Sequence, residues 1–184
     1  WTREINDLGS IHLAQVAKAA GVDRFLFSSS CSMYGAAGDA LLDETAEFRP
    51  VSAYARSKIH AEAEIAKMAD EAFCPVFLRN ATAYGVSPRL RVDLVLNNLT
   101  AWACTTGKVR ILSDGTPWRP LVHIEDICAA FAAVLAAPEC SVHGQAFNVG
   151  ASGENYRVSQ LAEIVQAVVP GCEIEYAGRP EPDT

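Results

Sequence analysis

Tyr54 and Lys58 stand four residues apart in Tyr54-Ala-Arg-Ser-Lys58, where a helical pattern opens. At that spacing the two side chains share one helix face, one turn apart. An ammonium beside a phenol favours the phenolate, whose conjugate acid has an ordinary pKa of about 10. A phenol tuned in this way can exchange protons with an alcohol near neutral pH. The same spacing also fits a surface tyrosine and a solvated lysine, so the pair gains meaning only from its surroundings. Upstream lies Ser28-Ser-Ser-Cys-Ser-Met-Tyr-Gly35, a stretch of small hydroxyl residues after an apolar run. A hydroxyl bonded to both the phenol and a substrate would place a moving proton; a plain serine-rich turn is the alternative.

Holding a strand-end serine against a helical Tyr-Lys pair takes a particular order of elements. Ile11, Leu13, Ala14, Val16 and Ala17 recur at helical spacing within about 6–20, and Gly21 stands where a helix stop belongs. Segments 24–28 and 75–79 read as short buried strands, and 54–70 as a long helix with Ile59, Ala63, Ile65, Ala66 and Met68 apolar. Further on come a helix over 92–103, a strand over 109–112, the turn Ser113-Asp-Gly-Thr-Pro117, an alanine-rich helix over 124–137 and a strand over 146–149. Ser159 is the expected N-cap of a helix reaching Val169 and stopped by Pro170-Gly171, and 173–176 alternates like a strand. Segments 39–51 and 178–184 have loop composition. Alternating short apolar strands and helices imply an α/β fold with a parallel sheet covered on both faces. Ligands of such sheets bind at the carboxyl ends of strands. That rule points to 28–34, to 80–84 and to the loop after Val149.

The bulk numbers narrow the class. The 184 residues can bury a core, and half of them are hydrophobic. A net charge of −7 gives nucleic acid no general reason to bind, so none is expected as a partner. No apolar run approaches the roughly 20 residues that span a bilayer, and Trp1-Thr-Arg-Glu4 does not open a signal peptide, so a cytoplasmic protein is expected. Cys31, Cys74, Cys104, Cys128, Cys140 and Cys172 include no Cys-x-x-Cys spacing, and with the histidines scattered no metal site is expected. Reduced, mostly buried thiols are the expectation.

At this point the sequence resembles a known family. Phe27-Ser-Ser-Ser-Cys-Ser-Met-Tyr-Gly35, Asp43-Glu44 and Pro50-Val-Ser-Ala-Tyr54-Ala-Arg-Ser-Lys58 resemble the extended short-chain dehydrogenase/reductases, the NAD-dependent nucleotide-sugar epimerases and dehydratases. Asn6-Asp-Leu-Gly-Ser10, Leu78-Arg79 with Tyr84-Gly85, Ser113-Asp-Gly115 with Arg119-Pro-Leu-Val-His123-Ile-Glu-Asp126, and Phe147-Asn-Val-Gly150 follow in the family's order. The resemblance implies a partial Rossmann-type doubly wound sheet with a small C-terminal substrate-binding lobe. Residues 1–85 would be the later part of the Rossmann-type domain, and 86–184 the lobe together with returning sheet elements.

It also implies roles. Tyr54 would be the catalytic acid/base, Lys58 would hold the nicotinamide ribose of NAD and tune Tyr54, and Ser30 would be the catalytic hydroxyl. Ser28 would join Tyr54 and Lys58 around the cofactor. Ser32 would be a second hydroxyl facing the substrate, Arg119 would contact the diphosphate of a nucleotide-diphosphate sugar, and Asn6 would brace the active-site helix or serve the fold alone. Trp102 and Trp118 read as packing aromatics, His123 as a local partner near Asp126, and Arg89 and Arg91 as an exposed loop pair. A homodimer through helices 6–20 and 54–70 is expected of the full-length protein.

The departures carry as much information. The Gly-x-x-Gly-x-x-Gly that would cradle the dinucleotide pyrophosphate has no counterpart in the chain, so the N-terminal cofactor-binding half is expected to be missing and the fragment inactive. The family also runs on past the loop of Arg179. Thr82 replaces the asparagine that usually touches the diphosphate, with Asn80 near but out of register. The dehydratases carry Asp-Glu directly after the catalytic threonine, where this chain has Cys31 and Ser32; Cys31 reads as a packing residue. Epimerisation, for example at C4, is therefore the favoured reading. An NADPH-dependent 4-keto-sugar reductase, a dehydratase and a non-catalytic NAD-fold binding domain are the alternatives.

Overall fold

The computed structural model describes residues 1–36, 38 and 40–177. The readings placed on Asp39, on Arg179 and on the rest of 178–184 lie outside the described residues. In chain order the elements are a π-helical segment Arg3–Gly9, α1 Ser10–Ala19, β1 Arg24–Ser30, a 3-10 turn Cys31–Tyr34, α2 Ala53–Ala66, β2 Cys74–Asn80, β3 Thr82–Tyr84, α3 Val95–Thr106, β4 Lys108–Ile111, β5 Trp118–His123, α4 Ile124–Ala136, α5 Glu139–Val142, β6 Ala146–Val149, β7 Asn155–Arg157, α6 Val158–Val168 and β8 Glu173–Tyr176. They group into two units, Trp1–Ala81 with Asp126–Val149, and Thr82–Glu125 with Gly150–Thr184.

The first unit is a parallel sheet in the order β1-β2-β6, the Rossmann-like arrangement that alternating strands and helices imply. Leu26 lies level with Val76, Ser28 with Leu78, and Asn80 with both Ser30 and Val149. In β2 every residue from Cys74 to Arg79 is buried, as a strand covered on both faces requires. One core joins Ala14 of α1, Ala61 and Ile65 of α2, and Phe27, Phe73 and Phe77. Arg24 donates to the carbonyls of Val134, Leu135 and Ala137 at 2.8, 2.8 and 2.9 Å, completing the otherwise unpaired carbonyl end of α4. In the second unit β3 pairs parallel with β5, β5 antiparallel with β7, and β4 parallel with β8. Leu99, Val109, Ile111, Leu121, Leu161 and Val165 form its core.

Several boundaries differ from the sequence reading for local reasons. The first helix opens at Arg3 in π geometry, and Gly21 ends it with φ +78°. The helix expected to reach Asp70 stops at Ala66, because the Asp70 carboxylate accepts from Lys18 and from the Ala72 amide, which suits a turn. The helix expected over 92–103 is shifted to Val95–Thr106 and ends on left-handed Gly107. Ser159 is not an N-cap: Arg157 holds that position, its amide donates to the Gln160 side chain at 2.8 Å, and the Ser159 amide bonds Gly115. The thiols are free but not mostly buried, since Cys104, Cys128 and Cys140 are exposed and only Cys74 and Cys172 are fully enclosed. No helix among the described residues is long and apolar enough to cross a membrane.

Candidate active site

Strand alternation sorts the serines after Phe27. Successive side chains of β1 point to opposite faces, so Ser29 turns inward and Ser28 and Ser30 turn the other way. The Ser29 hydroxyl is buried and donates to Glu62 Oε2 at 2.7 Å. Ser30 is half-buried and its hydroxyl donates to Ser32 Oγ at 2.9 Å while accepting from the Ser32 amide at 3.2 Å. Ser28 Oγ accepts from Asn80 Nδ2 at 3.0 Å, level with the end of β2.

Helix α2 delivers the other two groups. Ser52 caps it, accepting from the Ala55 amide at 3.1 Å, and this fixes the first turn that carries Tyr54. Tyr54 is 42% exposed and so lies at the surface. Lys58 lies one turn on, with Nζ 5.7 Å from the Tyr54 ring centroid and 4.6 Å from that of Phe27. It donates to the Ser28 carbonyl at 2.8 Å. Burial holds the Lys58 ammonium below the ordinary lysine range. Tyr54, Lys58 and Ser28 are thus gathered by direct contacts, and Ser30 and Ser32 form a second hydroxyl pair at the same strand end.

Beneath them lies a polar network that the sequence reading missed. Arg79 and Glu62 form an ion pair with side chains only 8% and 9% exposed. Arg79 also donates to the Tyr34 hydroxyl at 2.9 Å and to the Glu44 carbonyl at 3.0 Å. Tyr34 donates onward to Asn148 Oδ1 at 2.7 Å, and the Asn148 amide donates to the Glu44 carboxylate at 2.7 Å. Every charge in this cluster is therefore partnered, as burial demands. The available signal was an arginine inside the apolar run Pro75-Val-Phe-Leu-Arg79 together with a glutamate on the alanine-lined face of α2. Cys31 sits on this network and donates to the Arg79 carbonyl at 3.0 Å; burial pushes its thiol up to about 11. Gly35 closes the turn with φ +65°, and an added Cβ would come within 1.8 Å of the Arg49 carbonyl oxygen.

Thr82 and Arg119 fall in the second unit. Thr82 lies on β3 level with Leu121, and Arg119 on β5 level with Tyr156. Both are half-buried, and Arg119 Nη1 donates to the Trp118 carbonyl at 3.0 Å. In the same unit His123 packs edge-on to Tyr84, with 5.2 Å between ring centroids.

The model of the NAD-dependent epimerase/dehydratase family matches residues 2–150. The chain belongs to that family. Within it, the chain is 27% identical over 165 residues to mouse (Mus musculus) dTDP-D-glucose 4,6-dehydratase, covering 89% of this chain and 45% of the relative. It is 28% identical over 198 residues to UDP-glucose 4-epimerase of Rhizobium leguminosarum bv. trifolii, covering 98% and 60%. Among solved structures, MoeE5 in complex with UDP-glucose and NAD is similar at a TM-score of 0.84 and 26% identity, over 98% of this chain and 60% of that one. The chain therefore spans about half the length of the family members it matches.

Proposed function

We propose that this chain carries the acid–base and sugar-binding part of an enzyme that epimerises a nucleotide-diphosphate sugar at a carbinol carbon, in the manner of a 4-epimerase. The contact of Lys58 with both Ser28 and the Tyr54 ring carries the reading. Tyr54 takes the hydroxyl proton of the sugar, and Lys58 favours the phenolate that does so. The Ser30 hydroxyl, backed by Ser32, holds the sugar oxygen during the transfer. Thr82 and Arg119 contact the diphosphate, for which a guanidinium offers a forked set of donors.

NAD, when bound, supplies the acceptor and later the donor of the sugar's hydride. This end of the sheet suits its nicotinamide ribose. Lys58 and Ser28 offer polar groups here, and Asn80 Oδ1 is a buried acceptor without a partner among the described residues. With Tyr54, Ser28 and Lys58 complete the set proposed to hold the cofactor, and NADP would use the same residues.

Elimination of water is the less favoured reading. The residues after Ser30 are Cys31, whose thiol is held neutral by burial, and Ser32, so neither supplies an acid or a base at neutral pH. A one-way 4-keto-sugar reductase uses the same Tyr54, Lys58 and Ser30. We further propose that residues 1–85 bear the acid–base set and 86–184 the sugar-binding lobe together with returning sheet elements, that the enzyme is cytoplasmic and dimeric, and that the chain by itself is inactive.

The test uses the product of the complete gene with NAD or NADPH and a panel of UDP-, dTDP- and GDP-sugars. Interconversion of two sugars without net change in nicotinamide absorbance supports epimerisation. Steady loss of NADPH with a keto-sugar supports the reductase and sinks the proposal. Assaying residues 1–184 alongside tests the inactivity of the chain alone.

A further inference from the structure

The first unit holds a second cluster of reactive side chains, and nothing in the acid–base reading uses it. Cys74 begins β2 and Asn80 ends it, so the strand separates the two places by about 20 Å at roughly 3.3 Å per residue. Around Cys74 the ligand atoms of Cys74, Glu139 and His143 all lie within 4.8 Å of one another. His143 Nδ1 and Glu139 Oε1 are 3.3 Å apart. Two ligands about 2.1 Å from a tetrahedral zinc ion stand roughly 3.4 Å apart, so this pair already has the spacing of one edge of such a site.

The backbone holds these groups in place from both sides. Arg24, level with Cys74 in the sheet, secures the chain just before α5 through the Val134, Leu135 and Ala137 carbonyls. The Gly144 amide donates to the Pro75 carbonyl at 3.0 Å and secures it just after. The segment bearing Glu139 and His143 is thus pinned at both ends beside the first residues of β2, which lowers the cost of assembling a site. An open cleft of about 560 Å³ adjoins it, lined by Asp70, Glu71, Glu139, Cys140 and His143. Asp70 is paired with Lys18, and the carboxylates of Glu71 and Glu139 favour a cation there; Cys140 is a further sulfur-bearing residue of the lining.

We propose that Cys74, Glu139 and His143 bind a divalent transition-metal ion of the zinc class, with Cys140 or water as the fourth ligand. A thiolate, an imidazole and a carboxylate suit zinc or cobalt and disfavour magnesium and calcium, which take oxygen donors. The site joins the start of β2 to α5 and is independent of the chemistry at Tyr54.

Titrating the reduced product of the complete gene with cobalt(II) tests this directly. One equivalent is expected to produce tetrahedral d–d bands and a thiolate-to-cobalt charge-transfer band, and zinc is expected to erase both. His143→Ala and Glu139→Gln, both at the surface, are each expected to weaken binding by more than about 10-fold, the loss that disturbing even an outer-shell partner causes. Cys74→Ser should remove the charge-transfer band where water is the fourth ligand, or cut its intensity where Cys140 is, with Cys74→Ser/Cys140→Ser then removing it, while Cys104→Ser and Cys128→Ser should leave it intact. The proposal is overturned if no charge-transfer band forms, if His143→Ala binds cobalt with unchanged affinity, or if Cys128→Ser or Cys104→Ser abolishes the band. In each case Glu139 and His143 make only a surface ion pair.

Discussion

Lys58 is tied to Ser28 by a 2.8 Å hydrogen bond from its ammonium to the serine carbonyl. The bond anchors the first turns of α2 to the end of β1, and it leaves the Tyr54 ring beside the same cation. Tyr54 is therefore placed by main-chain geometry more than by its own contacts.

Removing the phenol oxygen should test its chemistry without disturbing the fold, because Tyr54 lies at the surface and Tyr54→Phe keeps its ring. In the gene's complete product, Tyr54→Phe is expected to lower kcat by about 10²–10⁴-fold, the usual contribution of a general acid or base. Circular dichroism should be unchanged. Activity within threefold or so of the parent would remove Tyr54 from the acid–base role.

The Arg79–Glu62 pair should dominate the stability of the first unit. Arg79→Met leaves Glu62 as a buried, uncompensated carboxylate, and about 3–5 kcal/mol of destabilisation is expected. Urea unfolding of the chain, followed by fluorescence, gives the number. The double variant Arg79→Met/Glu62→Leu should recover part of the loss, since a well-packed apolar pair carries no stranded charge.

Gly35→Ala is expected to cost more than the roughly 1–2 kcal/mol of a left-handed alanine. The added carbon would also strike the Arg49 carbonyl, and moving that strand of loop disturbs the Arg49 amide's bond to Met33. Gly38→Ala, also at positive φ but with nothing within 4 Å, should cost only the backbone penalty and serves as the control.

Thiol chemistry should divide the cysteines. Burial raises the Cys31 thiol from 9.0 to about 11, so at mildly alkaline pH iodoacetamide should label Cys104, Cys128 and Cys140 well before Cys31. A thiol pKa raised on folding means that the native state favours the protonated form. Its contribution to stability is then whole below pH 9.0 and is lost as pH rises towards about 11. Mass mapping of the labelled peptides gives the order, and Cys31 labelling as fast as Cys104 would contradict the burial argument.

Several elements were legible from the residues alone, although the helices expected over 54–70 and 92–103 had shifted bounds. Segments 146–149 and 173–176 coincide with β6 and β8, and the helix after His123 differs by a single residue at its end. What escaped were β3, β5 and β7. β3 and β7 are three-residue, half-buried strands, and β5 contains Pro120 with its two buried residues, Leu121 and Val122, adjacent, so none shows a clean two-residue alternation. The serines and the Tyr-Lys pair were found because their spacing is local. The Arg79 network was missed because its members, from Tyr34 to Asn148, meet only through the sheet, although the motifs Asp43-Glu44, Leu78-Arg79 and Phe147-Asn-Val-Gly150 each contribute one. Those motif residues lie under the site rather than in it.

The order β1-β2-β6 places side by side strands that are widely separated along the chain, with the whole of Thr82–Glu125 made between the second and the third. During synthesis from the N-terminus, β1 and β2 can meet early, but the far flank of β2 stays bare until Val149 has left the ribosome. Arg24 likewise waits for the end of α4. The intervening residues must therefore be translated while a half-finished sheet holds an unpaired strand edge and uncovered apolar side chains, and a stop before β6 would release a nascent chain suited to chaperone capture rather than to folding.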